Sequence, residues 1–356
     1  MSDTFTLLST EAFAVDLLRR INEARHRVSI QLMTFDGDEA GLPVADALLA
    51  AAARGVDVRL AVDCFALRYV SDERTNRSAV RAEFATTTAM YRRLADGGVD
   101  LRFTSPNGPF ALYALARNHK KLFVIDNRAY LGGINVSDHN YAWHDFMVAI
   151  TDQALVDAVV EDFEHTMAGE RVRVDKPILT NEAIEETFDE MVSSARDRLV
   201  VGSPYAIDRQ LAKLIERSPA RSKTAIVAAE NNFLFLDLIT PYLLHRLASS
   251  GVELSTYANF SHAKFVLADD RLLIGSSNYG RHSFWCNQEI GLVIDDTDFI
   301  ERFTAEMLSA LSPLEHDASL RRRALGRVAS VAMDTYLRAY ARLIVPRVPT
   351  LARDVP

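Results

Sequence analysis

The stretch NHKKLFVIDNRAYLGGIN, residues 118–135, returns in altered form as SHAKFVLADDRLLIGSSN at residues 261–278. In both copies a histidine is followed at identical spacings by a lysine, an aspartate, a glycine and an asparagine. The first set is His119, Lys121, Asp126, Gly132 and Asn135, and the second is His262, Lys264, Asp269, Gly275 and Asn278. A lone His-x-Lys recurs by chance, but five shared positions indicate a duplicated structural unit.

The similarity extends upstream of both copies. Residues 9–35 and residues 180–206 each begin with a helix-capping pattern, continue with apolar residues at helical spacing and pass into a short β-rich run. A further helix and strand follow, VADALLAAAARGVDVRLAVD in the first copy and LLHRLASSGVELSTY in the second. Strands alternating with helices predict an α/β fold of two pseudo-two-fold-related α/β/α repeats, each a mixed sheet flanked by helices.

We predict three segments along the chain. Residues 1–172 form the first repeat, residues 173–311 form the second, and residues 312–356 form an arginine-rich helical C-terminal segment. The first repeat has extra residues around 66–90 and again at 104–118. Extra residues in one copy of a duplicated unit usually lie in loops, and loops often determine specificity.

Composition narrows the class of protein. Hydrophobic residues make up 49% and charged residues 25% of the 356 residues, as in a soluble globular protein. The net charge of -8 argues against general, sequence-independent nucleic-acid binding. No signal-peptide pattern opens the sequence, and no stretch approaches the roughly 18 apolar residues of a membrane span. We therefore expect a cytoplasmic protein that contacts a membrane only from its surface.

The repeated residues suit phosphodiester chemistry. Two facing copies would place two histidines, two lysines and two asparagines around one phosphorus atom. One histidine would attack as nucleophile while the other protonates the leaving alkoxide. Lys121 and Lys264, with Asn135 and Asn278, would bind the phosphate oxygens, so neither a metal ion nor another cofactor is needed.

Two further acids occur at nearly matching distances. Asp145 lies 26 residues after His119, and Glu289 lies 27 residues after His262. Each precedes an apolar strand, where its carboxylate could hold a catalytic imidazole in one tautomer. We expect Glu289 to favour the charged form of His262.

These motifs resemble the phospholipase D superfamily, and within it the bacterial cardiolipin synthases. The resemblance rests on the double HxKxxxxD motif, on LGGINVSD and WHD in the first half, and on GSSNYGRHSFWCNQE in the second. It implies that His119 or His262 forms a phosphohistidine, with the nucleophile's role assigned to His119. It also implies that Asp126 and Asp269, although part of the catalytic motif, mainly support the site.

Three functions stay open from the sequence alone. The first is a lipid enzyme that hydrolyses a phospholipid or transfers its phosphatidyl group to an alcohol. It would contact the membrane peripherally through loop 104–118 or the C-terminal segment. The second is a nuclease or nucleotide phosphodiesterase on the same scaffold, and the third is a non-catalytic scaffold. The acidic net charge and the apolar segment GPFALYALA favour a lipid over a nucleic acid, whereas the sequence leaves the oligomeric state open.

Overall fold

The computed structural model describes residues 4–67, 77–205, 208–228, 236–315 and 319–352. Within these ranges the chain forms two sheets with flanking helices, one from each repeat. The predicted α/β fold, with a mixed sheet in each repeat and a helix near the C-terminus, is confirmed.

The first sheet has seven strands in the order β1-β7-β6-β5-β2-β3-β4. Its strands are β1 (Phe5–Ser9), β2 (Arg27–Leu32), β3 (Asp57–Asp63), β4 (Asp100–Thr104), β5 (Leu122–Ile125), β6 (Arg128–Gly132) and β7 (Phe146–Ile150). The helices of this repeat are α1 (Thr10–Glu23), α2 (Gly41–Ala53), α3 (Arg77–Asp96), α4 (Asp138–Ala142) and α5 (Gln153–Met167). Strands β2, β3 and β4 are parallel, whereas β5, β6, β7 and β1 join by antiparallel pairing.

The second sheet repeats this arrangement in the order β15-β11-β10-β9-β12-β13-β14-β8. Its strands are β8 (Leu179–Thr180), β9 (Arg198–Ser203), β10 (Ser222–Val227), β11 (Glu253–Thr256), β12 (Phe265–Ala268), β13 (Arg271–Gly275), β14 (Ile290–Ile294) and β15 (Ser312–Pro313). The helices are α6 (Glu182–Ser194), α7 (Arg209–Arg217), α8 (Leu236–Ser249), α9 (Arg281–Cys286), α10 (Thr297–Leu308) and α11 (Leu320–Leu343). In spatial order across each sheet, seven strands correspond one to one. The strands β8, β14, β13, β12, β9, β10 and β11 match β1, β7, β6, β5, β2, β3 and β4 of the first sheet.

This correspondence corrects two details of the sequence interpretation. Strand β11 matches β4 rather than β3, so LLHRLASSGVELSTY is the counterpart of α3 and β4. The extra residues around 66–90 are therefore not all loop, because those from Arg77 onward begin α3; residues 68–76 lie outside the described residues. The apolar spacing of α2 and α8 is alike, which made the two look equivalent.

The two repeats share one core between their sheets. Rings of Phe146 from β7 and Phe265 from β12 both pack on Phe303 of α10, with centroids 5.2 and 5.0 Å apart respectively. Helices α5 and α10 line this shared layer, where Val159 and Phe163 are fully buried. Shared burial of this kind holds the two motif copies in a fixed relation.

The C-terminal segment contacts both repeats. Its first residues, Ser312 and Pro313, form β15 against β11, so the second sheet extends past the predicted boundary at 311. Helix α11 packs on α8 and α9. Beyond it, Leu351 forms a bridge with Thr104 at the edge of the first sheet.

Candidate active site

His119 and His262 lie in extended segments immediately before β5 and β12. Each segment pairs with the other repeat. The His119 N–H donates to the Gln288 carbonyl at 2.9 Å, and the His262 N–H donates to the His144 carbonyl at 2.9 Å. These two backbone contacts bring both histidines to the repeat interface, beside the residues that precede β14 and β7.

Each imidazole contacts a carboxylate from the opposite repeat. His119 Nδ1 lies 3.0 Å from both carboxylate oxygens of Glu289, and His262 Nδ1 lies 2.8 Å from Oδ2 of Asp145. The expectation that Glu289 acts on His262 is therefore wrong. The reason is the bridge between Asn118 and Gln288, which sets Glu289 beside the first motif copy.

Bonding through Nδ1 decides which ring nitrogen can react. A carboxylate that accepts from Nδ1–H leaves Nε2 with the lone pair and directs it away from the carboxylate. Both histidines are nearly buried, with exposed fractions of 7% for His119 and 5% for His262. In both rings, Nε2 is the nitrogen that the carboxylate leaves free to react.

Lys121 and Lys264 are buried in the same cluster. Lys121 Nζ donates to the His119 carbonyl at 2.7 Å, and Lys264 Nζ donates to the His262 carbonyl and lies 3.8 Å from Asp145. Burial lowers the pKa of Lys121 to about 7. The positive charge of Lys264 adds to this shift, and the negative charge of Glu289 opposes it. Burial likewise lowers the pKa of Lys264 to about 8, although Asp145 and Glu289 oppose the shift.

The same forces keep the imidazoles neutral in the free site. Burial, only partly offset by Glu289, lowers the pKa of His119 to about 4. Burial and the charges of Lys264 and Lys121 hold the pKa of His262 well below its usual value. A bound anionic phosphate would oppose both lysine charges and favour protonation of one imidazole.

The two carboxylates differ in their surroundings. Glu289 accepts hydrogen bonds from Ser276 Oγ and from Asn287 Nδ2 as well as from His119. Burial raises its pKa, but His119, Lys121 and Ser276 together lower it to about 2. Burial instead raises the pKa of Asp145 to about 6, against the lowering effect of Lys264.

The different surroundings of Glu289 and Asp145 follow from two sequence differences between the repeats. Gly133 stands where the second repeat has Ser276, and a Cβ at Gly133 would lie 2.4 Å from an Asp145 oxygen. Trp143 stands where the second repeat has Asn287, and its ring packs 5.0 Å from the His262 ring. The sequence-based predictions do not include Ser276, although its place in GSSN against GGIN distinguishes the two copies.

Asp126 and Asp269 lie away from the histidines. Asp126 follows β5, at the opposite end from His119, and accepts backbone N–H bonds from residues 25–27 at 2.8–3.1 Å. Asp269 accepts the corresponding bonds from residues 196–198 at 2.8–3.0 Å. This corrects their inclusion among the catalytic side chains and supports a structural role, which fixes the start of β2 and of β9.

The two motif asparagines have different environments. Asn135 Oδ1 accepts from the N–H groups of Met33 and Thr34, at 3.2 and 3.3 Å, and so ties the end of β2 to the motif. Asn278 Oδ1 is buried and makes no hydrogen bond within the described part of the chain. A phosphate contact from either amide stays a prediction.

Loop 104–118 leads directly into His119. Its tip exposes Phe110 completely and Leu112 by 49%. The base is fixed by a buried ion pair between Arg117 and Asp63 at 3.0 Å. Tyr340 of α11 donates from its hydroxyl to the Leu112 carbonyl at 3.0 Å. Rigid anchoring of the base presents the apolar tip to solvent.

Acidic groups that could hold a metal lie elsewhere. Across the described ranges, the one such group is Asp36, Asp38 and Glu83, and it contains neither a motif histidine nor its carboxylate partner. Metal independence of the histidine cluster remains a prediction.

Comparison with known proteins identifies the family of the chain. The family described as "Cardiolipin synthase, PLD-like domain" matches residues 17–167 and 188–311, which span both motif copies. The chain belongs to this phospholipase D-like family. The first matched range contains β2 to β7 and the second contains β9 to β14, so the duplicated unit seen in the sequence is the family's domain.

Relatives of this phospholipase D-like chain include two cardiolipin synthases. Major cardiolipin synthase ClsA of Bacillus subtilis is 26% identical over 81% of this chain and 64% of its own length. Cardiolipin synthase A of Yersinia pseudotuberculosis is 28% identical over 82% of this chain and 66% of its own length. The chain thus matches just under two thirds of each relative.

A solved structure shows the same fold over almost the whole chain. Phosphatidylserine synthase of Haemophilus influenzae aligns with a TM-score of 0.70 and 16% identity, covering 97% of this chain and 95% of its own.

None of the helices in the described ranges combines the length and the apolar character that crossing a membrane requires.

Proposed function

We propose that this protein transfers or hydrolyses the phosphatidyl group of a phospholipid through a phosphohistidine on His119. The observation that carries the proposal is the crossed pair of histidine–carboxylate contacts, His119 with Glu289 and His262 with Asp145. Each contact orients one Nε2, and the buried lysines supply positive charge around the space between them.

In the first half-reaction, Nε2 of His119 attacks phosphorus. The bond from phosphorus to the oxygen of the departing alcohol breaks, and the proton on Nε2 of His262 passes to that oxygen. The products are a phosphatidyl group on His119 and a neutral His262.

In the second half-reaction, neutral His262 removes a proton from the hydroxyl of an acceptor. The acceptor oxygen attacks phosphorus and the bond to His119 breaks, which restores both histidines. Water as acceptor gives hydrolysis, whereas an alcohol gives a new phosphodiester.

The assignment of the nucleophile rests on Glu289. A phosphorylated imidazole that keeps its Nδ1 proton is a cation, so it needs a fully ionised partner. Ser276 and His119 help to hold the pKa of Glu289 at about 2, whereas that of Asp145 is raised to about 6. Glu289 is therefore the better partner for a lasting cation on His119.

The lysines complete the phosphate site. Burial lowers the pKa of both Lys121 and Lys264, and repulsion by Lys264 lowers that of Lys121 further. A phosphodiester anion between them would relieve this repulsion and raise both pKa values again. We propose that this relief of the repulsion between the two lysines provides much of the binding energy for the phosphate.

A phospholipid is the substrate class that the surroundings favour. Phe110 and Leu112 expose apolar surface on the loop that precedes His119, and we propose that this loop contacts the membrane peripherally. The rings of Trp143 and Phe260 pack in a tilted arrangement on the His262 side, with centroids 4.9 Å apart. Relatives named as cardiolipin and phosphatidylserine synthases support the same class.

The test is turnover by the purified protein of labelled phosphatidylglycerol, with and without glycerol, alongside labelled single-stranded DNA. We expect turnover of the lipid only, and its loss in His119→Ala. Cleavage of the DNA with no turnover of lipid would refute the proposal and favour the nuclease alternative.

The two histidine roles need a second substrate, one whose leaving group requires no proton. A phosphatidyl p-nitrophenol ester meets this requirement. His262→Ala should then still form the adduct on His119, whereas His119→Ala should form none. An adduct on His262 would show that the roles are reversed.

A further inference from the structure

A second basic site lies outside the histidine cluster, between α7 and α11. Three arginines, Arg209, Arg338 and Arg342, line a cavity of about 500 Å³. The rest of its lining is short or apolar, apart from one acid: Val331, Asp334, Thr335 and Ala339. Guanidinium groups around a small apolar floor suit a phosphate group attached to an apolar body.

The charges at this cavity are unbalanced. Asp334 Oδ2 lies 3.4 Å from Arg209 Nε and 3.5 Å from Arg281 Nη1, so one carboxylate is shared by two guanidiniums. Arg338 and Arg342 are exposed and have no carboxylate within 4.0 Å in the described ranges. The site therefore presents two exposed guanidiniums that have no carboxylate partner in the described ranges.

Of the three cavity arginines, Arg338 is already positioned, and the neighbouring Arg281 shares its support. Arg281 and Arg338 lie over the ring of Trp285, at 4.7 and 5.7 Å from its centroid. The ring is fixed in turn by its Nε1–H bond to Glu185 at 3.2 Å. Guanidiniums held on an aromatic face lose less entropy on binding an anion than mobile side chains do.

An exposed apolar stripe runs along α11 beside this cavity. Leu325, Val328, Tyr336 and Leu343 are exposed by 49%, 70%, 51% and 60%. Their separations of three, eight and seven residues place them on one side of the helix. A neighbouring side of α11, with Leu337 and Tyr340, is buried and attaches the helix to the body, whereas the stripe stays exposed.

We infer that α11 is a membrane-contact helix and that the cavity of Arg209, Arg338 and Arg342 binds the phosphate of an anionic phospholipid. The apolar stripe would enter the boundary between headgroups and acyl chains while the guanidiniums meet the negative headgroup layer. This inference rests on the proposed function in one respect, because it brings a lipid enzyme to a surface that contains its substrate.

Helix α9 connects this surface to the reacting groups. At its start, Arg281 meets Asp334 of α11, and the next residue, His282, bonds to the Leu115 carbonyl in loop 104–118 at 2.9 Å. Just after its end, Asn287 donates to Glu289. A lipid headgroup at α11 would thus lie on the same side of the second repeat as the loop that leads into His119.

The test measures vesicle binding in the inactive His119→Ala background, so that turnover cannot alter the lipid. Sedimentation with phosphatidylcholine vesicles is compared with sedimentation with mixed phosphatidylcholine and phosphatidylglycerol vesicles. Arg338→Gln with Arg342→Gln should weaken binding to the mixed vesicles about 30-fold. The control, Arg25→Gln with Arg92→Gln, removes two exposed arginines of the first repeat and should change the affinity less than about threefold.

Further variants and ligands distinguish binding of a lipid surface from binding of another anion. Val328→Ser with Leu343→Ser should weaken vesicle binding while leaving its salt dependence in place, and thermal unfolding checks that each variant is folded. An equal loss in the control pair, or no loss in the arginine pair, would overturn the inference. So would tight binding of inorganic phosphate or of a single-stranded oligonucleotide at these arginines without vesicle binding.

Failure of this inference is distinguishable from failure of the proposed function. Turnover of detergent-dispersed phosphatidylglycerol by the unmodified protein tests the histidine cluster without a membrane. Turnover there without vesicle binding would refute the α11 surface alone.

Discussion

Glu289→Gln is the substitution that tests the crossed arrangement most directly. The amide has nearly the shape of the carboxylate and can still accept a hydrogen bond from His119, Ser276 or Asn287. What it removes is the negative charge that would face the phosphohistidine cation.

The size of the effect follows from the contact distance. His119 Nδ1 lies 3.0 Å from each Glu289 oxygen, so the charge centres of the ring and the carboxylate are about 4 Å apart. At an effective dielectric constant near 20, this separation gives about 4 kcal/mol. Formation of the covalent adduct should therefore slow by about a thousandfold.

Rapid quenching with a phosphatidyl p-nitrophenol ester measures this step, because the leaving group needs no proton and His262 is bypassed. Peptide mass spectrometry locates the adduct. Glu182→Gln, an exposed glutamate of the same repeat, is the matched control and should react as the unmodified protein does. An adduct rate for Glu289→Gln within tenfold of the unmodified rate would refute the reasoning.

Three other measurements address the remaining features of the site. The value of kcat/KM, which reports the free enzyme, should fall below about pH 6 as Asp145 gains a proton, and should fall above pH 7–8 as Lys121 and then Lys264 lose theirs. Asp145→Asn should remove the fall on the acid side. A value of kcat/KM that still rises at pH 9 would contradict the assignment. Asp269→Ala should lower the free energy of unfolding, measured with urea, by about 1–3 kcal/mol while kcat is retained. Because the pKa of Asp269 is lowered in the folded protein, this loss of stability should shrink as the pH falls through that pKa. A hundredfold fall in kcat at unchanged stability would instead make Asp269 a catalytic residue. Activity should survive a strong chelator; loss on chelation that one added divalent ion reverses would refute metal independence.

Much of the fold could be predicted from the sequence because the chain carries the same pattern twice. One copy of the His-x-Lys stretch would have been ambiguous, but two copies with equal spacing imply a duplicated sheet. The prediction failed where the copies differ in length. The prediction of a loop around residues 66–90 is wrong from Arg77 onward, where α3 begins, because its counterpart α8 resembles α2 in apolar spacing.

The carboxylate pairing could not be predicted from spacing. Asp145 and Glu289 each lie in the same repeat as one histidine, and distance along the chain favours pairing within a repeat. The structure pairs them across, because the segments before β5 and β14 meet at the interface through Asn118 and Gln288. A contact between distant segments depends on how the two sheets pack, and no local pattern encodes that packing.

Crossed pairing makes the two repeats depend on each other. His119 without the second repeat would lack Glu289, and Glu289 would be left with Ser276 and Asn287 in place of its imidazole partner. A buried carboxylate without its partner is costly, so the reacting geometry and the repeat interface are stabilised by the same contacts. The interface can nevertheless diverge on each side, as Gly133 against Ser276 shows. Divergence of this kind gives two equivalent histidines different carboxylates, which is what a nucleophile and a general acid require.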